Sequence, residues 1–332
     1  MTAPVVMRPA RRRLLQLLPA AALAAAGVAL AQDFPKRTLT MIVPFPAGGS
    51  ADALARIIAK GLGDAAGRQV VVDNRPGAGG RVGTAIAARS NPDGHTLLLG
   101  TVSAFSIEPA LRQKVDYDPL KDFTPIAPAA EMPFILVVPG DSPYRSVDEL
   151  VAAARAGAGT LNYASWGLGT SCHLITEMFA ASRGVSLTHV PYKGAVNAVT
   201  DVAASRVALM FALPFDAMPH ITSGRLRALA VTGAQRMSAL PQVPTLPQLG
   251  IRGVDMNAWF GLFVPARTPQ PAVSRLRALV EPVLSSATLR GWIQAQGAIA
   301  FPGGPDELTR RIRADSDATA AIAKSLSLRL ED

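Results

Sequence analysis

Short apolar runs alternate along the chain with longer stretches in which apolar residues recur at helical spacing. Leu39–Val43, Val70–Val72 and Leu97–Leu99 read as strands of one sheet. Between the first two, Leu54, Ile57, Ile58 and Leu62 mark one face of a helix. A second series begins near Tyr144. There Ser146-Val147-Asp148-Glu149 forms a capping box, with Ser146 bonding back to the first turn and Glu149 answering it. The helix it opens ends at Gly157 or Gly159. A strand at Leu161–Tyr163, a helix from Thr170 to Ala181 and a strand at Leu187–Val190 follow. A helix from Ala195 to Ala204 and strands at Val207–Phe211 and Leu226–Val231 complete the alternation. Such alternation predicts an α/β architecture with mainly parallel sheets. From Pro271 onward the pattern changes: Pro271, Pro282 and Pro305 punctuate helical stretches without a clear strand, which predicts a C-terminal helical cap.

Two apolar runs lead directly into glycine turns. Leu39–Val43 is followed by Pro44-Phe45-Pro46-Ala47-Gly48-Gly49-Ser50-Ala51-Asp52, and Val70–Val72 is followed closely by Arg75-Pro76-Gly77-Ala78-Gly79-Gly80. In an open α/β sheet, ligands sit outside the carboxyl ends of the strands, where these turns fall. The first N–H groups of the helix that follows are unpaired and carry partial positive charge, so such a turn can hold an anion without a basic side chain. Glycine lets the backbone approach that ligand closely. A further echo links Phe134-Ile135-Leu136-Val137-Val138-Pro139 with Phe260-Gly261-Leu262-Phe263-Val264-Pro265, both Phe-x-Leu-x-Val-Pro. The echo suggests either two matched strands crossing between lobes around a hinge, or two unrelated core strands.

Residues 1–31 have the make-up of an export signal. Arg8, Arg11, Arg12 and Arg13 form a charged start, Leu14–Leu30 is apolar, and Ala29-Leu30-Ala31 fits a small-x-small cleavage site, so the mature chain would start at Gln32. The apolar stretch is shorter than the roughly 20 residues of a membrane helix and holds Pro19 and Gly27. Arg11-Arg12 also resembles a twin-arginine signal, and the Sec route fits equally well. Removing four of the 33 basic residues leaves 29 against 24 acidic ones, which lowers the net charge from +9 to +5. Without a long basic run interleaved with aromatics, nucleic-acid binding finds no support. A single cysteine, Cys172, forms no internal disulfide and suggests no zinc site.

Several chemistries lack their parts. A Gly-x-Gly-x-x-Gly fingerprint starting at Gly77 would need glycine where Val82 stands, and no Walker lysine follows Gly80, so no nucleotide cofactor is indicated. No Gly-x-Ser-x-Gly elbow occurs. Cys172 and His173 are adjacent, and neighbours on a helix point about 100° apart, so they make a poor thiolate–imidazole pair. His95, His173, His189 and His220 do not fall in metal-ligand spacing. The chain reads as a binding protein rather than an enzyme.

Further segments sharpen that reading: Pro92-Asp93-Gly94-His95-Thr96-Leu97-Leu98, Tyr117-Asp118-Pro119-Leu120-Lys121-Asp122-Phe123, Ala164-Ser165-Trp166-Gly167-Leu168-Gly169-Thr170 and Val190-Pro191-Tyr192-Lys193-Gly194. Gly224–Thr232, Val243-Pro244-Thr245-Leu246 and Trp259–Pro265 follow in order. With Pro44–Asp52, Arg56 and Asn74–Gly80, these resemble the Bug-type extracytoplasmic solute receptors of tripartite tricarboxylate transport systems, from about Pro35 to the end. The resemblance implies a two-lobed periplasmic binding protein of the second class, with two mixed, mostly parallel sheets joined by two crossing strands. It places lobe 1 at residues 33–134 plus 257–332 and lobe 2 at 135–256. It further implies a monomer that captures a carboxylated solute and hands it to the membrane permease subunits; the alternative is a sensory receptor feeding a signalling partner. The family usually has proline where Asn197 stands and Gly-Gly where Ala204-Ser205 stand, so the rim of lobe 2 is expected to differ in shape.

Within that frame the candidate ligand-binding residues are Phe45, Ala47, Gly48, Gly49, Ser50, Asp52, Gly79, Gly80, Thr101, Ser103, Ser165, Trp166, Gly169, Thr170, Ser171, Lys193 and Phe215. Ser165–Ser171 is a third turn into a helix, whose hydroxyls and open N–H groups would accept a carboxylate across the cleft. Ser50, Thr170 and Ser171 could equally be ordinary N-caps. Asp52 either favours the dipole of its helix or meets a ligand ammonium. Lys193 is a cleft cation or a solvated rim lysine. Phe45, Trp166 and Phe215 wall an apolar ligand body or belong to the core, and Thr101 and Ser103 complete the polar lining.

Overall fold

A computed structural model describes residues 34–112, 114–301, 303–328 and 330, so the segment read as an export signal lies outside the described residues. The chain begins with β1 (Leu39–Val43), α1 (Ser50–Ala66), β2 (Val70–Asn74), α2 (Arg81–Ala88) and β3 (Thr96–Thr101). A π-helical turn, Ser103–Ile107, and the short α3 (Glu108–Leu111) lead to β4 (Phe123–Met132) and β5 (Ile135–Pro139). Then come α4 (Val147–Ala156), β6 (Asn162–Ser165), α5 (Ser171–Arg183), β7 (Thr188–Pro191), α6 (Ala195–Ala203), β8 (Leu209–Ala212), α7 (Pro214–Thr222) and β9 (Leu226–Val231). After β10 (Ala258–Pro265) the chain is mainly helical: α8 (Gln270–Leu284), α9 (Ala287–Ala295) and α10 (Pro305–Leu326), with the two-residue β11 (Ile299–Ala300) between the last two.

The strands form two sheets, in the orders β11-β4-β10-β3-β1-β2 and β7-β6-β8-β5-β9. Each sheet centres one lobe. β1 runs parallel to β2 and β3, and β6 runs parallel to β7 and β8. β10 is antiparallel to β3 and β4, β11 to β4, and β5 to β8 and β9. The sheets are mixed, as expected, but not mostly parallel. Strands that enter a lobe from the other lobe are not fed through a βαβ crossover, which is the connection that makes neighbours parallel.

The chain passes between the sheets at Pro133–Phe134 and again over residues 232–257. The two echo segments start beside these passages, yet β5 lies in one sheet and β10 in the other, so neither spans the lobes. Thr232 joins the two passages. Its N–H donates to the Phe134 carbonyl at 3.0 Å, and its Oγ1 accepts from the Phe134 N–H at 2.9 Å.

β4 escaped the sequence reading because it carries Pro125 and Pro128, which remove ladder donors. Its pairing with β10 shifts register between Phe260 and Gly261 and again between Leu262 and Phe263, which accommodates those prolines. α1 buries Leu54, Ile58 and Leu62 as its periodicity requires, while Ile57 stays half-buried. Ser146 caps α4, accepting from the Glu149 N–H at 3.2 Å; the Glu149 carboxylate answers on the Arg145 N–H at 2.6 Å.

The Ala204-Ser205 departure has a backbone consequence. Ser205 ends α6 with φ +59°, the left-handed position where glycine is usual. A left-handed non-glycine residue costs roughly 1–2 kcal/mol, and the extra freedom of glycine in the unfolded chain offsets part of that. Ser205→Gly should therefore stabilise the protein by about 0.5–1 kcal/mol in denaturant unfolding. A loss of stability would show that the Ser205 hydroxyl bond to Asp141 Oδ1, 2.7 Å, outweighs the strain.

Candidate functional site

A cavity of about 220 Å3 lies between the lobes. That is several times the ≈30 Å3 share of one water and below the roughly 300–1,000 Å3 of drug-sized pockets, so it suits a small solute. Its walls come from the carboxyl ends of strands in both sheets and, in lobe 1, from the amino end of the antiparallel β10. Lobe 1 contributes Phe45–Ala47 and Gly49–Ala51 after β1, Thr101–Ser103 after β3, and Ala258–Phe260 of β10. Lobe 2 contributes Trp166 and Ser171 after β6, Lys193–Asn197 after β7, and Leu213 and Asp216 after β8.

The first glycine turn is shaped from beneath. Gly49 precedes α1 with extended backbone and no side-chain cap. Asp52 lies under the loop rather than in the cavity. Its carboxylate accepts from the Gly48 N–H at 3.0 Å, from Asn74 Nδ2 at 3.0 Å and from Arg56 Nε at 2.8 Å. Burial alone would raise its pKa, but the bonds from Arg56, Gly48 and Asn74 together hold it below the usual value. Of the two sequence readings, the structural one describes its position.

The N–H of Ser50, first in α1, is already paired across the cleft. It donates to Asp216 Oδ1 at 3.1 Å while Ser50 Oγ donates to Asp216 Oδ2 at 2.8 Å. Asp216 sits in the first turn of α7, so its carboxylate faces the amino ends of two helices, the anion position that the sequence implied. Burial pushes its pKa up to about 6, against the lowering effect of both Ser50 bonds. A second cross-cleft pair joins the lobes: the Ser171 N–H donates to Ser103 Oγ at 3.0 Å, and that hydroxyl donates to Ser171 Oγ at 3.2 Å.

Phe45, Ala47, Gly49, Ser50, Thr101, Ser103, Trp166, Ser171 and Lys193 thus line the cavity as anticipated. The other candidates sit behind or beside it. Gly48 packs at the rim, where an added Cβ would meet Val196 Cγ2 at 3.7 Å. Gly80 is buried against the Phe45 ring, and Gly79 and Gly169 both face the buried Glu108 carboxylate at the seam between lobes. Ser165 and Thr170 spend their hydroxyls on the turn itself, both donating to the Gly167 carbonyl, at 3.1 and 2.7 Å; Ser165 also meets His189 Nε2 at 2.6 Å. Phe215 turns outward to pair with Trp292, ring centroids 6.0 Å apart.

Lining residues not anticipated are Pro46, Ala51, Val102, Gly194–Asn197, Leu213, Asp216 and Ala258–Phe260. Asp216 carried a readable signal, since Leu213-Pro214-Phe215-Asp216 follows an apolar strand and opens a helix as the other turns do. Trp259 depends on the C-terminal cap: its Nε1 donates to Asp315 Oδ2 at 2.7 Å, and Arg311 ties Asp315 to Glu131 Oε1. Trp166 stacks on Phe134 at the first passage between lobes, at 6.0 Å and 14°.

Two histidines of lobe 2 sit together, His173 buried and His189 half-buried. His173 stacks on His189 at 4.4 Å, and burial lowers their pKa values to about 3 and about 4. Among the described residues no cluster of His, Cys, Asp or Glu could hold a metal ion, and no helix is long and apolar enough to cross a membrane.

The tripartite tricarboxylate transporter receptor model matches residues 54–328, and the chain belongs to that family. Protein BugT of Bordetella pertussis is 34% identical over 93% of this chain and 96% of its own. A protein from the tcbD–tcbE intergenic region of Pseudomonas sp. strain P51 is 38% identical over 86% of this chain and 84% of its own. Among solved structures, the periplasmic binding protein BugD superposes with a TM-score of 0.86 at 32% identity, covering 90% of this chain and 100% of BugD. An R. palustris protein solved with adipate gives 0.86 at 34% identity, covering 90% of this chain and 99% of the other. MatC from Rhodopseudomonas palustris, with bound malate, gives 0.83 at 30% identity over 87% and 99%. The chain is a solute-binding receptor of the two-lobed periplasmic type.

Asp216 gives the site a pH signature. An acid whose folded pKa lies above its unfolded value contributes stability below the unfolded pKa, near 3.8, and loses it as pH rises through about 6. Asp216→Asn should therefore gain on the parent by about 2 kcal/mol between pH 4 and pH 6.5, read as the difference in unfolding free energy. The difference is the proper readout, because the two histidines titrate identically in both proteins. A pH-independent difference would mean that Asp216 keeps an ordinary pKa.

Proposed function

We propose that this protein is an exported receptor that closes its two lobes on a small carboxylated solute and delivers it to a tripartite tricarboxylate-type permease. The observation that carries the reading is the cavity itself, walled by strand-to-helix turns of both lobes. Four hydroxyls, of Ser50, Thr101, Ser103 and Ser171, outnumber the two charged side chains, Lys193 and Asp216, on that wall, as suits an anion held largely by neutral donors. Relatives solved with adipate and with malate support a carboxylate. Lobe 1 comprises residues 33–134 plus 257–332 and lobe 2 residues 135–256, moving about Thr232 and Phe134 by hinge closure. The protein works as a monomer in the periplasm after loss of residues 1–31.

A ligand that binds only the closed form raises the melting temperature by mass action. Thermal-shift screening of C4–C6 dicarboxylates, hydroxy acids, amino acids and citrate should give hits that also lower the radius of gyration in solution scattering. An unchanged radius with a tight-binding hit would remove the hinge. Lys193 is exposed at the rim, so Lys193→Ala should weaken a hit by about 1 kcal/mol or less in calorimetry. Ser171→Ala removes a hydroxyl from the cavity wall and should cost roughly 1.5–3 kcal/mol if the ligand is charged there. Loss of all binding in Lys193→Ala alone would show that a side-chain cation holds the anion. Uptake of the hit by cells lacking and regaining the protein tests delivery.

A further inference from the structure

The cavity wall holds a carboxylate of its own, and nothing in a receptor for plain dicarboxylates calls for one. Asp216 is buried, and both of its oxygens are held only by neutral donors, the N–H and hydroxyl of Ser50. Among the described residues it forms no ion pair. Lys193, the other charged side chain lining the cavity, is not within ion-pair distance of it. An ionised carboxylate can accept about four hydrogen bonds, so Asp216 has acceptor capacity left over beside an open cavity.

The one sequence reading that left room for a ligand ammonium started from Asp52. That residue is spent on Arg56, Asn74 and the Gly48 N–H, beneath the loop. Asp216 is the acid that lines the cavity without a cation. A second solute carboxylate placed there would meet a like charge in a low-dielectric site and find the Ser50 N–H already taken. An ammonium would meet an uncompensated anion with free lone pairs, and a charge-assisted bond is roughly twice as strong as a neutral one. The wall then presents a cation at the rim, Lys193, and an anion within, Asp216. That polarity matches a zwitterion.

We propose that Asp216 is the specificity-determining residue of the cavity and selects a solute bearing an ammonium group together with its carboxylate, an amino-acid-type zwitterion over the plain diacid of the same length. The inference rests on the receptor reading and deepens it.

Calorimetry on the mature chain with matched pairs, aspartate against succinate and glutamate against glutarate, isolates the ammonium, with putrescine as a diamine lacking carboxylates. The parent protein should bind the amino member of at least one pair tenfold or more tightly than its plain partner. Asp216→Asn keeps shape and can still accept from the Ser50 N–H, and it should erase or reverse that preference. Equal or tighter binding of the plain diacids by the parent overturns the proposal, and this arm needs no variant to fold. Equal weakening of both members of a pair in Asp216→Asn also overturns it, since that marks a merely structural role. Binding of putrescine that Asp216→Asn abolishes, with no carboxylate bound, would uphold Asp216 as the selector and overturn the carboxylate reading instead. Binding of none of the probes overturns both.

Discussion

One carboxylate, Asp216, placed at the amino end of a helix it does not belong to, is the contact on which the arrangement of this molecule turns. The four N–H groups that open a helix need acceptors, and the α1 turn, ending in Gly49, supplies none from its own side chains. The acceptor comes from the opposite lobe. Ser50 therefore bonds to Asp216 only when the lobes are together. Contact and electrostatics are coupled here: the meeting of α7 and α1 satisfies a helix terminus and buries an acid at the same atoms. The stabilising and costly parts of that contact act on the same atoms.

The remaining hydroxyls divide into those that build turns and those that face the cavity, and the division follows backbone geometry. In the Ser165–Thr170 turn, Gly167 has φ +140° and Gly169 φ +75°, so its carbonyls point inward and recruit Ser165 and Thr170. Ser171 and Ser103 escape that fate because each begins a helical segment, with its side chain directed at the other lobe. Glycines at 79, 80 and 169 likewise allow close approach between protein parts, against Glu108 and Phe45. Glycine-rich turns after strands thus mark where lobes meet as well as where anions sit.

Much of the fold was legible because local rules and tertiary demands agree. The capping box at Ser146, the helical stripe through Leu54, Ile58 and Leu62, and the strands β1, β3 and β9 all fall where periodicity puts them. β4 was not legible, since Pro125 and Pro128 argue locally against a strand and only the shifted register with β10 makes one possible. Parallel pairing was overestimated because alternation along the chain does not reveal which strands are neighbours. The site was half legible. Residues in the turns after β1, β3 and β6 could be read from strand-to-helix transitions. Trp259 and Phe260 could not, because they open a strand instead of following one and line the cavity only through the pairing of β10 and the anchoring of Trp259 by Asp315 on α10.

A wall made mostly of aromatic and aliphatic side chains, with small hydroxyls and two charged groups set in it, has a consequence for how such a receptor acquires selectivity. Dipoles at helix starts accept a carboxylate but say little about what it is attached to. The side chains that stand out from the hydroxyls and the apolar wall are Lys193 and Asn197 after β7 and Asp216 after β8. Asn197 brings an amide to the rim of α6 that proline could not, and Asp216 brings an acid to the floor. Both sit at helix starts in lobe 2, while lobe 1 carries the glycine turn and the Ser103 hydroxyl. The hydroxyls of the wall come from both lobes, Ser50, Thr101 and Ser103 on one side and Ser171 on the other, while its charged and amide side chains all come from lobe 2, so substitutions there change the charge of the cavity while the cross-cleft serine pair and the loop held by Asp52 stay as they are.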